Sequence, residues 1–235
     1  MKQIRAADAR GYNHHDWLET RYSFSFADYH DPAHMGISIL RVLNEDRIAP
    51  AGGFPTHPHQ EMEIVTYILD GVLEHKDSMG NGSLIRPGDI QRMSAGTGVR
   101  HSEFNHSDQQ PVHLLQIWLL PNRKGVEPGY AQKHFPLSER RGILQLLVSP
   151  DGHSGSISSH QDGRLYGTFL EQGEAASHSL AAGRIAYVHI ARGKAVVNGE
   201  NLAEGDAITL SQEPRVDLVG VGQAEILLFD LPESP

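Results

Sequence analysis

The stretch GFPTHPHQEME, residues 53–63, decides the fold and the chemistry expected of this chain of 235 residues. It places His57 and His59 two positions apart, and the later segment HSE repeats that spacing with His101 and Glu103. In an extended strand each residue advances about 3.3 Å and side chains alternate faces, so both members of a pair share one face. Two such strands facing each other would offer three imidazoles and one carboxylate to a metal ion, with one side left open. The pattern therefore predicts a reactive metal site rather than a closed structural one.

The composition limits the ligands available to such a site. There is no cysteine, which excludes disulfides, cysteine-based zinc sites, iron–sulfur clusters and thiol nucleophiles. The chain has 20 basic and 29 acidic residues, a formal net charge of −9, which argues against direct binding of nucleic acid or an anionic membrane. Any metal must be held by nitrogen and oxygen.

The N-terminal segment gives no sign of a targeting sequence. Residues 1–17 mix charged residues and histidines without an apolar run, unlike a secretory signal. No stretch is long and apolar enough to span a bilayer. We therefore expect a cytoplasmic protein.

The turn pattern predicts an all-β fold. Turn signals recur at Asp70-Gly71, Asn81-Gly82, Pro87-Gly88-Asp89, Asp151-Gly152, Asp162-Gly163, Asn198-Gly199 and Gly205-Asp206. Short runs rich in β-branched and aromatic residues lie between several of them, at 63–69, 113–119, 144–148, 185–190, 207–210 and 225–229. This spacing is typical of a sandwich or barrel, with at most a helical turn or two around residues 138–141.

A weak internal repeat predicts two domains. Residues 70–90 and 192–208 each read as a hairpin strand, a return strand and a Gly-Asp turn into a further strand. The second copy has no counterpart of His57-Pro58-His59, so the repeat is structural. Residues 149–163, dense in Gly, Ser and Asp, are the expected linker.

Two longer motifs carry a family resemblance. Residues 53–63 followed by Gly71 resemble the first motif of the cupin superfamily, and Pro87-Gly88-Asp89 through His101 to Asn105 resembles the second. Together with further passages, the chain resembles the pirin family, including its bacterial quercetinase-like members; these passages are Phe24-Ser25-Phe26-Ala27, Asp31-Pro32, Met35-Gly36, Leu40-Arg41-Val42 and residues 94–103.

The resemblance implies a bicupin fold and a ligand set. It predicts two double-stranded β-helix barrels, a metal-binding one over residues 1–135 and a degenerate one without metal over residues 136–235. Carried over by position, it makes His57, His59, His101 and Glu103 the metal ligands. Other cupins take the carboxylate four residues after the second histidine, which is Glu63 here, so the fourth ligand stays open. We rank Glu103 first and expect Glu63 to orient a ligand imidazole by hydrogen bonding.

Residues outside this set have plainer interpretations. We read the other histidines, His75 among them, as structural or solvated. Several aromatic and sulfur-bearing side chains either line an apolar pocket above the metal or belong to the core, namely Phe24, Phe26, Tyr29, Met35, Phe54, Met93 and Trp118.

The donor set suits a divalent transition metal. Fe(II) is our first choice because the resemblance to pirins implies it, with Mn, Co, Ni, Cu or Zn as alternatives. Loading needs unprotonated imidazoles and an ionised carboxylate, so we expect metal affinity to fall as the pH drops through the imidazole range.

The resemblance implies a dioxygenase that opens the heterocycle of a flavonol such as quercetin with O₂, and Glu103 or Glu63 would accept the proton of the substrate's 3-hydroxyl. The alternative is a non-catalytic, redox-responsive partner of a transcription factor or other protein. A third hypothesis is a cupin isomerase or hydrolase with a redox-inert ion. We expect a monomer, because two barrels in one chain supply the packing that single-barrel cupins obtain by dimerising.

Overall fold

The computed structural model describes residues 1–234, which form twenty β-strands and three short 3-10 helices. Strands β1 to β12 are Lys2–Arg5, Gly11–His15, Leu18–Tyr22, Leu40–Ile48, Gly53–His59, Glu63–Asp70, Leu73–Asp77, Gly82–Ile85, Asp89–Ser94, Val99–Asn105, Val112–Leu119 and Gly129–His134. Strands β13 to β20 are Gln145–Ser149, Ile157–Ser158, Arg164–Leu170, Ala175–Ser179, Arg184–Val197, Glu200–Ala203, Ala207–Leu210 and Arg215–Pro232. The 3-10 helices are Ala7–Ala9, Leu137–Arg140 and His153–Gly155. The prediction of an all-β fold is confirmed, and the helical turn expected near residue 138 is the second 3-10 helix.

The first compact unit comprises Gly11–His134 and Ser159–Gln161. Its strands form a seven-stranded sheet in the order β12-β9-β6-β11-β4-β3-β2 and a four-stranded sheet in the order β5-β10-β7-β8. Strand β6 reads EIVTYILD and is buried over its first seven residues, because both of its faces are covered. The candidate site lies in this unit, between strands that belong to the two sheets.

The second compact unit comprises residues 1–10, 135–158 and 162–234. Its strands form one nine-stranded sheet in the order β1-β19-β17-β20-β15-β13-β14, with β16 pairing β20 and β18 pairing β17. The long strands β17 and β20 pair along most of their lengths, with register shifts that bend them. Buried Leu, Ile, Val and Ala side chains from these strands form its core.

The N-terminal residues belong to the second unit, which differs from the expected boundaries of 1–135 and 136–235. Strand β1 pairs antiparallel with β19, from Lys2 opposite Leu210 to Arg5 opposite Ala207. The expected linker, residues 149–163, is partly structured as well. It holds the third 3-10 helix and β14, and Ser159–Gln161 packs with the first unit.

Several predicted turns take the conformations that their residues favour. Gly88 has φ of 94° and the backbone N–H of Asp89 donates to the carbonyl of Arg86, which closes the Pro87-Gly88 turn. Asn198 and Gly199 have φ of 46° and 86°, the left-handed pair of a tight hairpin. Among the described residues, no helix has the length and apolar character that crossing a membrane requires.

Candidate metal centre

Strand pairing brings the two sequence motifs together. Strands β5 and β10 are antiparallel, and His57 lies directly opposite His101. The register then shifts, so that Glu103 pairs with Phe54. The extra residue is on β5, next to Pro55, which has no backbone N–H to contribute to the ladder. Because His59 follows His57 by two positions, all three histidines present their rings on one face of the sheet.

The three imidazoles converge on one point. The ring centroids are 4.5 Å apart for His57 and His101, and 4.8 Å apart for His59 and each of the other two. Their candidate ligand nitrogens all lie within 4.8 Å of one another. Since metal–nitrogen bonds are about 2.1 Å long, small ring rotations suffice for one ion to reach all three.

Hydrogen bonds determine which nitrogen of His57 is free. Nδ1 lies 2.8 Å from the backbone carbonyl oxygen of Pro55. Because a carbonyl oxygen only accepts, Nδ1 carries the proton and Nε2 keeps its lone pair for a metal.

A chain of contacts does the same for His101. Nε2 of His75 lies 3.1 Å from Oδ2 of Asp77, so this nitrogen carries the proton and Nδ1 of His75 is an acceptor. Nδ1 of His101 lies 3.4 Å from that Nδ1, and the proton between them therefore belongs to His101. Nε2 of His101 is left unprotonated, buried and without a hydrogen-bond partner among the described residues, as a metal ligand would be. Asp77 is itself fixed by the side chain and backbone N–H of Asn81.

The electrostatics of the cluster favour neutral imidazoles. Burial, with added repulsion from neighbouring histidines, lowers the pKa of His101 to about 2. Burial and the proximity of His57 lower the pKa of His59 to about 4. Both rings are therefore uncharged at neutral pH, the form in which one ring nitrogen can coordinate a metal.

Glu103 lies at the edge of the cluster. The ligand atoms of Glu103, His75 and His101 lie within 4.8 Å of one another. Glu103 is not part of the other such group, which is formed by His57, His59 and His101. Nε2 of Gln116 donates to both carboxylate oxygens, at 3.0 and 3.2 Å. Burial, reinforced by the negative charge of Asp46, raises the pKa of Glu103 to about 7. The group can thus gain or lose a proton near neutral pH.

Glu63, the alternative fourth ligand, lies elsewhere. Its side chain is fully buried, and Oε2 accepts hydrogen bonds from Ser94 Oγ at 2.9 Å, Ser159 Oγ at 2.7 Å and the His160 backbone N–H at 3.2 Å. It is absent from the cavity lining and bonds no ligand imidazole. The orienting role expected of Glu63 is therefore not found, because its carboxylate instead fastens residues 159–160 to the first unit.

A cavity of about 380 Å³ opens above the three histidines. Two edge-to-face aromatic pairs form part of its wall: Trp17 with Phe54, ring centroids 4.9 Å apart, and Phe26 with Trp118, 5.2 Å apart. Of the side chains weighed for this role, Phe26, Phe54 and Trp118 line the cavity, whereas Phe24, Tyr29, Met35 and Met93 do not. The lining also includes polar side chains, among them Asn44 and Asp46 from β4.

Two groups of residues at this site were not predicted from the sequence. His75 and Asp77 alternate on one strand, and this His-x-Asp spacing is a signal that could have linked His75 to the site. Asn44 and Asp46 sit in LRVLNEDRI, whose polar end reads as a strand approaching solvent. Both are buried instead, at 4% exposure each.

The donor set fits a transition metal. Hydrogen bonds of the other ring nitrogen leave Nε2 of His57 and of His101 available as ligands. The ring of His59 lies beside them, and the carboxylate of Glu103 lies next to His101. Nitrogen and oxygen donors of this kind suit divalent iron, nickel, cobalt, copper, manganese and zinc.

Comparisons with known proteins agree with the geometry. The family model Pirin matches residues 3–119, and that of the quercetinase C-terminal cupin domain matches residues 146–231. A protein of Escherichia coli K12 named quercetin 2,3-dioxygenase is 43% identical over 232 residues, covering 99% of both chains.

Solved structures extend the comparison to the fold. The crystal structure of YhhW from Escherichia coli superposes with a TM-score of 0.95 at 43% identity, over 99% of this chain and 98% of that one. The bacterial pirin YhhW in complex with nickel(II) superposes with a TM-score of 0.93 at 42% identity, over 99% of both chains. A metal site is thus supported by the histidine cluster and by a relative that holds a metal. The chain belongs to the pirin family, whose members carry two cupin barrels.

Proposed function

We propose that the protein is a metal-dependent dioxygenase that opens the heterocycle of a flavonol such as quercetin, with O₂ as co-substrate. The observation that carries this proposal is the convergence of three imidazoles, two of them held neutral by burial, beneath a cavity with aromatic walls. A site with open coordination positions under an apolar, substrate-sized cavity is what oxidation of a flat aromatic molecule requires. The name of the Escherichia coli relative supports the same activity.

In this proposal His57, His59 and His101 hold the metal, with Glu103 as the fourth ligand. Fe(II) is the first candidate ion, and nickel is a second because a relative was solved with it. When bound, the metal lowers the pKa of a coordinated substrate hydroxyl and orients the reactants.

The chain's own residues would bind the substrate and move its proton. The pairs Trp17–Phe54 and Phe26–Trp118 present apolar surface to a planar ring system and exclude water from it. Glu103, the carboxylate that lies next to His101, would accept the proton of the 3-hydroxyl. Gln116, which donates to both oxygens of Glu103, would hold the carboxylate in position.

Oxygen uptake tests the proposal. Protein purified without chelator is analysed for its metal, loaded with Fe(II) or Ni(II), and supplied with quercetin under air in an oxygen electrode. We expect consumption of one O₂ per quercetin lost, and no consumption by His57→Ala at equal protein concentration. A metal-loaded wild-type sample that consumes no oxygen would reject the dioxygenase and leave the redox-responsive binding partner as the hypothesis to pursue.

A matched control separates loss of the site from loss of the fold. His134 is exposed and contacts Asp89 at 2.7 Å, away from the cavity. His134→Ala removes an imidazole from the same unit and should keep wild-type oxygen uptake. Loss of activity in both variants would mean that the His57 result reports damage to the unit rather than to the centre.

A further inference from the structure

A row of polar side chains crosses the cavity wall next to Glu103. Gln116 on β11 is the cross-strand partner of Asn44 on β4, and Asn44 is the partner of Tyr22 on β3. Opposed side chains on neighbouring strands have their Cβ atoms about 5 Å apart. The row therefore runs from Gln116, which holds Glu103, across the sheet to β4 and β3. Asp46 lies two residues beyond Asn44 on the same face and also lines the cavity.

One atom of this row has no hydrogen-bond partner. Oδ1 of Asn44 is buried and unpartnered among the described residues, although the side chain is only 4% exposed. Burying an amide oxygen without a donor is unfavourable, so such an atom in a cavity wall points to a donor that arrives with a ligand. The same cavity wall holds other such atoms, among them the buried Nε1 of Trp118, which is a donor without an acceptor.

Asp46 adds a group that can donate or accept. It is 4% exposed, and burial, reinforced by the charge of Glu45, raises its pKa to about 7. At neutral pH the carboxyl is therefore partly protonated, and its neutral form donates one hydrogen bond and accepts another. A hydroxyl group on an aromatic ring has the matching character, because it too donates and accepts.

We propose that Asn44 and Asp46 form a subsite on β4, beside Gln116, that binds phenolic hydroxyl groups of the substrate. The inference rests on the proposed function, since it assigns a specificity to the cavity of the proposed enzyme. The aromatic pairs contribute apolar contact that any planar ligand satisfies. The polar row selects planar molecules that carry hydroxyl groups beyond the one that reaches the metal.

Binding can be measured directly, because both tryptophans of the chain, Trp17 and Trp118, line the cavity. Quenching of intrinsic fluorescence by a ligand therefore reports on the cavity itself. Metal-loaded protein is titrated without oxygen with two probes that share the 3-hydroxyl: quercetin, which carries four further hydroxyls, and 3-hydroxyflavone, which carries none. The readout is the ratio of the two dissociation constants.

We expect wild-type protein to prefer quercetin by about tenfold or more, equivalent to about 1.4 kcal/mol. Asn44→Leu and Asp46→Leu should each lower the affinity for quercetin and bring the ratio toward one, because leucine neither donates nor accepts a hydrogen bond, while 3-hydroxyflavone binds within about twofold of its wild-type affinity. Leucine is close in size to both residues, and either variant tests the subsite if the other fails to fold. Asp108→Leu, the same substitution at an exposed position outside the cavity lining, is the control and should keep the wild-type ratio.

The outcomes separate this inference from the proposed activity. An unchanged ratio in both variants, or an equal loss for both probes, overturns the subsite. Oxygen uptake by a wild-type protein that binds both probes equally also overturns the subsite and leaves the dioxygenase standing. Preference for quercetin that the variants abolish, without oxygen uptake, supports the subsite and rejects the dioxygenase. Failure of both probes to bind overturns both.

Discussion

Both units of this chain are built from β-strands, but the side chains that the strands bury are different. In the second unit Val188, Ile190 and Ile226 are fully buried within a continuous apolar cluster. In the first unit the strands around the cavity carry buried polar groups, among them His101, Glu103 and Asn44. The strand framework does not decide whether a barrel has a reactive centre; the side chains that point inward do.

The difference is also energetic. Apolar side chains stabilise the second unit by leaving water, whereas buried imidazoles and carboxyl groups are unfavourable unless they are paired or coordinate a metal. Among the described residues, the groups of three His, Asp or Glu side chains within 4.8 Å of one another lie in the first unit. We therefore expect substitutions at the histidine cluster of the first unit to change metal binding, and substitutions in the core of the second unit to change stability alone.

The largest effect is expected from His101→Ala. This removes the ligand whose Nε2 is buried without a partner, and the two remaining imidazoles should not retain the ion through gel filtration. Elemental analysis should give about one metal per wild-type chain and less than about a tenth of that in the variant. His153→Ala, at an exposed histidine of the second unit, is the control and should keep the wild-type content. A His101→Ala protein with full metal content would contradict the ligand assignment.

The next effect is a pH dependence set by Glu103. Above pH 7 its carboxyl is already ionised in the metal-free protein, and below pH 7 one proton must leave before the metal binds. Affinity should therefore fall about tenfold for each pH unit between 7 and 5, as calorimetric titrations at several pH values would show.

This narrows the expectation that the imidazoles set the dependence. Burial keeps His59 and His101 neutral throughout that range, with pKa values of about 4 and 2. Glu103→Gln should bind metal more weakly and with a shallower slope between pH 7 and 5. An equally steep slope in Glu103→Gln would assign the proton to another group.

A smaller effect is expected from Asp77→Asn. The carboxylate of Asp77 fixes the proton on His75, which in turn leaves Nε2 of His101 free for the metal. Losing such an outer partner typically weakens metal binding by about 10- to 100-fold. Isothermal titration measures this, with Asp89→Asn as the control because Asp89 bonds His134 outside the cavity. Affinity within twofold of wild type in Asp77→Asn would show that the chain of contacts does not orient His101.

The smallest effect on the centre is expected from Ile226→Ala in the second unit. This fully buried side chain belongs to the apolar cluster, and its truncation should lower the free energy of unfolding by about 2–5 kcal/mol. Denaturant unfolding measures that loss, and elemental analysis should show an unchanged metal content. A fall in metal content under conditions where the variant is folded would show that the two units are not independent in this respect.

Local signals in the sequence predicted much of the first unit. Spacing by two residues in a strand identified His57, His59 and His101, and the structure brings these three together. The Pro87-Gly88 turn could be predicted because proline and glycine favour the backbone angles of its two central positions.

Pairing between strands that are distant in the chain could not be predicted from the sequence. Strand β1 is four residues of mostly exposed, polar sequence, and nothing local indicates that it pairs with β19 some two hundred positions later. The burial of Asn44 and Asp46 likewise depends on which strands lie beside β4. Glu63 could not be placed either, because the alternation of side chains along β6 is compatible both with a metal ligand and with a residue that orients one. Period-two patterns give the face of a side chain but not what that face meets.

The most direct test of the account is a crystal structure of metal-loaded protein with anomalous data collected at the absorption edge of the bound metal. We expect one strong anomalous peak per chain, in the first unit, within bonding distance of Nε2 of His57 and His101, a ring nitrogen of His59 and an oxygen of Glu103. A peak bound to other residues, or a peak in the second unit alone, would contradict it.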